Sequence, residues 1–250
     1  MVTYMKAHQK VIAEQKLKEP NNLFGAWWEQ EKWDLNGSVV KPVSYETAKS
    51  LITEFEWMKS MPAISLHQYG IFFGLNCGGV VVYSPEYCEN LGSWDKYGYT
   101  GKIILLSRGA CLPWTPKNTA SRLIRQSMKL LPEQYEVVTA TVDPMAGEIG
   151  TIYQACGFHF VGTMHEADTH RPGIRYQGRT ISGRTLRHWA GHYRKEDLKK
   201  QFPGAEFVPQ VTKGRYFSFR GKAISERFKA IAGLVKPYPK RSDMESRGVA

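Results

Sequence analysis

Between Lys102 and Pro132 the hydrophobic period of the chain changes once, and this constrains the fold more than any other feature. Lys102–Leu112 contains Ile103, Ile104, Leu105 and Leu106 as an unbroken apolar run, which reads as a buried strand. A tight loop with Pro113 and Pro116 follows. Thr119–Leu131 then sets Ala120, Leu123, Ile124, Ser127, Met128 and Leu131 on one helical face, and Pro132 closes the segment. A buried strand running directly into an amphipathic helix needs a sheet beside the strand and a layer boundary beneath the helix.

The flanking segments supply both. Ser44 can cap a helix across Tyr45–Lys59, with Ala48, Leu51, Ile52, Phe55 and Met58 at helical spacing. Leu66–Leu75 and Val80–Tyr83 read as the arms of a hairpin turning at Gly78–Gly79. Tyr135–Val142 alternates as a strand, Gly150–Cys156 is a short helix stopped by Gly157, and Phe158–Thr163 returns as a strand. The fold class is therefore α/β (α+β), a mixed central sheet flanked by helices. Residues 1–20 suit a solvated helix, and residues 22–43, with Trp27, Trp28 and Trp33, a packed irregular segment. The expected division is an extension over 1–43, a core over 44–170 and a basic region over 171–250 that completes the fold and contacts nucleic acid.

Charge separates these parts. Residues 1–170 hold 15 Lys and Arg against 17 Asp and Glu; residues 171–250 hold 19 against 6. The net charge of +11 thus arises wholly in the last third, as expected of a polyanion binder. RYQGRTISGRTLRHW alternates Arg with small and aromatic residues, which suits phosphate contact and base stacking. Arg175, Arg179, Arg184, Arg187, Lys213, Arg215 and Lys222 are the candidate nucleic-acid contacts. KGRYFSFRGKAISERFKAI reads as a strand and a basic helix, and KPYPKR with the polar end as extended and mobile. Trp27, Trp28, Trp114 and Trp189 are candidate stacking partners, although core packing is the simpler explanation for each.

No apolar run approaches the roughly 18 residues of a membrane span, and the charged start lacks the apolar core of a signal peptide. A cytosolic protein is expected. Cys77, Cys88, Cys111 and Cys156 have neither zinc spacing nor a C-x-x-C pair, so buried free thiols are expected.

Two constellations can do chemistry. In SRGACLPWTPKNTASRLIRQ a strand ends at a helix start whose N–H groups can bind an anion, with Asn118, Thr119, Ser121 and Arg122 as further candidate cofactor-binding residues. In VDPMAGEIGTIYQACGFHFVG a strand delivers Asp143 to its carboxyl end, Glu148 adds a carboxylate, and Tyr153 projects from a short helix. His67 and Tyr69 can line a cleft or simply pack.

The succession from Lys102 to Gly162 resembles the acetyltransferase superfamily known as GNAT. More closely, the chain resembles the phage Mom DNA-modification family. That resemblance is carried by AKSLITEFEWMKSMP, LSRGACLPWTPKNTASRLI, DPMAGEIGTIYQACGF, QGRTISGRTLRHWAG, KGRYFSFRG and VKPYPK, and covers roughly residues 44–241. It implies transfer of a small carbamoylmethyl-type group to adenine N6 in DNA, masking sites from restriction endonucleases. It implies active-site roles for Arg108, Ser121, Asp143 and Tyr153. Where many relatives carry a His–Tyr pair, this chain has Glu56–Trp57, which makes Glu56 a further catalytic candidate. The glycine-rich coenzyme loop of ordinary acetyltransferases is replaced by Asn118–Thr119–Ala120. Acetyl-CoA, an aminoacyl-tRNA and another activated glycine-like compound are all open as donors, and a basic surface suits tRNA as well as DNA. Two other readings fit the same sequence: an acyltransferase acting on a protein or small amine, and a non-catalytic DNA-binding module.

Overall fold

The computed structural model describes residues 7–18, 33–86, 99, 102–163, 172–177, 179–181, 183, 186–187, 194–208, 213–221 and 224–240. Among them, a seven-stranded mixed sheet is built from β1 (Val39–Pro42), β2 (His67–Phe73), β3 (Asn76–Pro85), β4 (Ile103–Cys111), β5 (Val137–Val142), β6 (His159–Thr163) and β10 (Gly214–Phe219), in the order β1-β2-β3-β4-β5-β10-β6. A second sheet, β8-β7-β9, joins β7 (Gly173–Tyr176), β8 (Arg179–Ile181) and β9 (Glu206–Val208). The helices are α1 (His8–Lys18), α2 (Tyr45–Phe55), α3 (Thr119–Leu130), α4 (Thr151–Ala155), α5 (Lys195–Gln201) and α6 (Ile224–Ile231).

Strand alternation gives the main sheet two apolar faces. Val81, Tyr83, Ile104, Leu106, Val138, Ala140 and Val142 pack with Leu123, Ile124 and Met128 of α3. On the other face Val80, Val82, Ala110 and Leu112 pack with Ala48, Ile52 and Phe55 of α2. Further along that face, Val137, Phe217 and Phe219 pack with Tyr99 and Ile231. Ser44 caps α2 by accepting from the Thr47 N–H at 3.1 Å, an interaction typically worth about 1 kcal/mol.

The parallel β4–β5 pair runs only from Ile103↔Val137 to Leu106↔Ala140. Beyond it the strands part. The cause lies on the other edge of β4, where Tyr83 pairs with Leu106 but Val82 pairs with Arg108. Ser107 is the additional residue, and such a bulge bends its strand. β10, from the basic region, pairs antiparallel with both β5 and β6, so one strand of this region is part of the main sheet.

Three sequence expectations need correction. The hairpin turns at Gly74–Leu75, and Gly78–Gly79 lie inside β3. They are glycines because neighbours crowd them: a Cβ would meet Thr115 Cγ2 at 2.7 Å from Gly78 and the Ala110 carbonyl at 2.7 Å from Gly79. The helix begun at Tyr45 ends at Phe55, four residues short of Lys59. Finally, Lys236–Lys240 is anchored: Lys236 bridges to Phe160, and Tyr238 donates to the Phe158 carbonyl at 2.7 Å while stacking on Tyr216; Arg241 and the polar end lie outside the described residues.

Cys77, Cys111 and Cys156 are free and half-buried; Cys88 lies outside the described residues. No helix among the described residues is long and apolar enough to cross a membrane.

Candidate active site

The early end of α2 places Glu56 in the site. Its backbone is extended (φ −97°, ψ 142°), and its N–H still donates to the Ile52 carbonyl. The side chain curls back so that Oε2 accepts from the N–H groups of Met58 at 2.8 Å and Lys59 at 3.2 Å. This local competition for backbone donors ends the helix. Glu56 is buried, and burial pushes its carboxyl up to about 7, against the lowering effect of Arg108 and of the two backbone hydrogen bonds; Glu148 adds to the rise.

Glu148 sits across from it. Trp57 Nε1 donates to Glu148 Oε1 at 3.1 Å, and the Asp143 N–H donates to Glu148 Oε2 at 3.1 Å. Burial holds this carboxyl above the usual carboxylate range, despite those hydrogen bonds and the Lys213 charge. Asp143, at the carboxyl end of β5, is ion-paired with Lys213 at 3.4 Å. The β5–α4 loop that carries both acids is shaped by Gly147 and Gly150, which have φ of 72° and 77°.

Arg108 approaches from β4. Its Nε donates to the Ser60 carbonyl at 2.8 Å and Nη1 to the Ser107 carbonyl at 2.7 Å. Among the described residues no hydrogen bond engages Nη2. Tyr153 projects from α4 between the rings of Phe158 and Tyr216, with centroids 5.5 and 5.6 Å away. Burial raises its phenol well above the ordinary value, and Glu148, Cys156 and Glu56 add to the shift. The phenol is therefore protonated throughout the neutral range. Arg108, Glu56, Asp143 and Tyr153 thus converge where β4 and β5 part. Glu148 and Trp57 join them as the residues that sequence reasoning left without a role. The signal for Glu148 was present, five residues after Asp143 in one glycine-bearing loop.

The start of α3 is arranged differently. Ser121 donates its hydroxyl to the Asn118 carbonyl at 3.0 Å, and its own carbonyl accepts from Cys156 Sγ at 3.6 Å, so this turn lies against α4. Thr119 is buried and donates to the Pro116 carbonyl at 2.7 Å. Arg122 Nη2 donates to the carbonyls of Asn36 at 3.2 Å and Ser38 at 3.3 Å. Asn118 is left-handed (φ 71°) and makes no side-chain cap. Three side chains expected to hold a donor molecule are thus bonded to the protein's own carbonyls. The chief donors there are the backbone N–H groups of the first turn, which suit an anion such as a pyrophosphate or phosphodiester. Among the described residues no group of three or more His, Cys, Asp and Glu is arranged to hold a metal ion.

His67 packs edge-on against Tyr135, and Tyr69 is buried with its hydroxyl on the Leu130 carbonyl, so neither joins the cluster. Trp114 packs with Trp33 and Phe73; Trp27, Trp28 and Trp189 lie outside the described residues.

In the basic region Arg187 is exposed, and Arg175 forms an exposed ion pair with Glu206 at 3.3 Å. Arg179 lies in β8, while Arg184 and Lys222 are outside the described residues. Lys213 is drawn to Asp143. Arg215 requires a correction: it is 3% exposed and pairs with Glu86 at 3.2 Å, so its guanidinium is not at the surface. The alternation of β10 turns it into the face shared with Thr139, whose hydroxyl bonds the same Glu86.

Together these features define a mixed α/β protein with a cluster of acids where its two parallel strands part. The sequence profile described as the Mom protein family matches residues 38–240, and the chain belongs to that family. It is 24% identical over 209 residues to the methylcarbamoylase mom of Escherichia phage Mu, covering 80% of this chain and 83% of that protein. Among solved structures it is similar to an IAA acetyltransferase from Bacillus cereus ATCC 14579 (TM-score 0.42, 13% identity, 73% of this chain and 99% of that one). It is also similar to a GNAT family acetyltransferase from Elizabethkingia anophelis with acetyl-CoA bound (TM-score 0.38, 10% identity, 74% and 99%).

Proposed function

We propose that the protein is a transferase that attaches a small carbamoylmethyl-type group to the exocyclic N6 of adenine in DNA, protecting the DNA from restriction. The observation that carries this reading is the convergence of Arg108, Glu56, Asp143 and Tyr153 where β4 and β5 part, in a chain of the Mom family. Membership of a family that includes a methylcarbamoylase supports the class of group transferred.

The chemistry asks three things of the site. The N6 lone pair is delocalised into the purine ring, so a carboxylate must take the N6 proton as the N–C bond forms. The bond from the transferred carbon to its leaving group breaks, and the electron pair departs with that group. Arg108, with Nη2 open, stabilises the negative charge that develops on the donor. Tyr153, kept protonated by burial, supplies a proton to the departing group. A donor that carries phosphate suits the first turn of α3, where the backbone N–H groups are its partners.

An adenine inside a duplex must leave the stack to reach such a site, and the exposed Arg175 and Arg187 are suited to hold the flanking phosphates. Mass spectrometry of nucleosides from DNA of cells expressing the protein tests the reading. A modified deoxyadenosine is expected, lost on Arg108→Ala or Tyr153→Phe. An unmodified adenine pool overturns it, and a modified protein or small amine in its place would establish the acyltransferase reading instead.

A further inference from the structure

The site holds three carboxylates, and their surroundings give them different tasks. Asp143 is engaged by the Lys213 ammonium at 3.4 Å. Both oxygens of Glu148 already accept hydrogen bonds, one from the Trp57 indole and one from the Asp143 backbone. Glu56 is arranged unlike either: Oε2 takes both backbone N–H groups, and among the described residues no hydrogen bond reaches Oε1.

We propose that Glu148 is a positioning residue that ties the turn after α2 to the end of β5, and so holds Glu56 with its open Oε1 beside Arg108 as the acceptor of the proton leaving adenine N6. This rests on the transferase reading above. The Trp57–Glu148 bond spans 91 positions in the sequence and joins this turn to the loop carrying Asp143. Removing it frees the two sides of the site to separate. Glu148 also acts through its charge: its carboxylate, Arg108 and the Tyr153 phenol are the titratable groups that face Glu56, and Glu148 is the one that strengthens Glu56's hold on a proton. An acceptor that ionises near neutral pH is matched to taking a proton from a weakly nucleophilic amine. The balance is simple: the N6–C bond forms, the bond from carbon to leaving group breaks, and the N6 proton goes to Glu56 Oε1.

Two measurements on the full chain test this. In the free protein, an infrared-monitored pH titration should show a carboxyl group ionising close to neutral pH. It should vanish in Glu56→Gln and move to lower pH by about half a unit or more in Glu148→Gln, because a neighbouring negative charge is gone. The acid limb of the DNA-modification rate should move the same way, with thermal unfolding confirming that Glu148→Gln is folded. A neutral-range carboxyl that persists in Glu56→Gln, or one that does not move in Glu148→Gln, overturns the proposal. If wild-type protein leaves DNA unmodified, the transferase reading fails while the infrared titration still decides the coupling of the two acids.

Discussion

Gly150 lies so close beneath the ring of Tyr216 that a Cβ at this position would fall 2.4 Å from Cε2. Tyr216 is fully buried in β10, and its hydroxyl donates to the Ile149 carbonyl while accepting from Gln154 Nε2 at 3.0 Å. The ring therefore presses the β5–α4 loop, which carries Asp143 and Glu148, against a strand from the basic third of the chain. The shape of the site and the completeness of the sheet depend on the same contact.

Gly150→Ala should accordingly be among the most damaging small substitutions in the molecule. It combines a left-handed backbone (φ 77°) with a contact no Cβ tolerates, and the ring cannot retreat without losing two hydrogen bonds. A loss of about 3 kcal/mol is expected. Gly157→Ala is the control: φ is 79°, but nothing lies within 4 Å of the added carbon, so backbone strain of about 1 kcal/mol is the whole effect. Denaturant unfolding of both variants measures the difference.

The Arg215–Glu86 pair makes a second prediction about stability. Both side chains are buried, at 3% and 7% exposure, so Glu86→Gln removes the acidic partner of a guanidinium in the interior. A loss of about 3 kcal/mol is expected. The double variant Glu86→Gln with Arg215→Met removes both charges and should recover much of that loss, which thermal melts of the three proteins would reveal.

Glu56 should leave a signature in the pH dependence of stability. Its carboxyl is raised from 4.5 to about 7 on folding, so between these values the folded state binds more protons than the unfolded one. Stability from this group is full below about pH 4.5 and is lost as pH rises through 7. The gap corresponds to about 3 kcal/mol at most. Glu56→Gln should therefore gain stability relative to wild type at pH 8 compared with pH 5. Parallel curves for the two proteins would show that Glu56 titrates as an ordinary surface acid.

Local pattern made much of this legible. The strand–loop–helix unit from Ile103 to Leu130 lies within a residue or two of its sequence bounds, because a continuous apolar run and a 3.6-residue stripe each have one stable solution beside a sheet. Asp143 and Tyr153 were placed by the same logic, at a strand end and on the next helix. What the sequence concealed was tertiary. Gly78 and Gly79 look like a turn, yet they are small because Thr115, Phe73 and the Ala110 carbonyl crowd them. Arg215 looks like its basic neighbours, and only the pairing of β10 between β5 and β6 turns it inward to Glu86. Trp57 and Glu148 lie too far apart in sequence for any local pattern to join them.

The burial of Arg215 also sharpens what the basic region should do on DNA. A phosphate contact releases counterions and contributes about 0.9 to the slope of log K against log salt for duplex DNA. Arg187 is exposed, so Arg187→Gln should weaken binding and reduce that slope by about one. Arg215→Met removes the same formal charge from a position the solvent does not reach. It should lower the melting temperature and leave the slope unchanged when binding is measured on folded protein. Fluorescence anisotropy with a labelled duplex over a range of salt concentrations distinguishes the two. Equal slopes for Arg187→Gln and wild type would remove Arg187 from the DNA-facing surface, whereas a reduced slope for Arg215→Met would mean that β10 opens when the duplex binds.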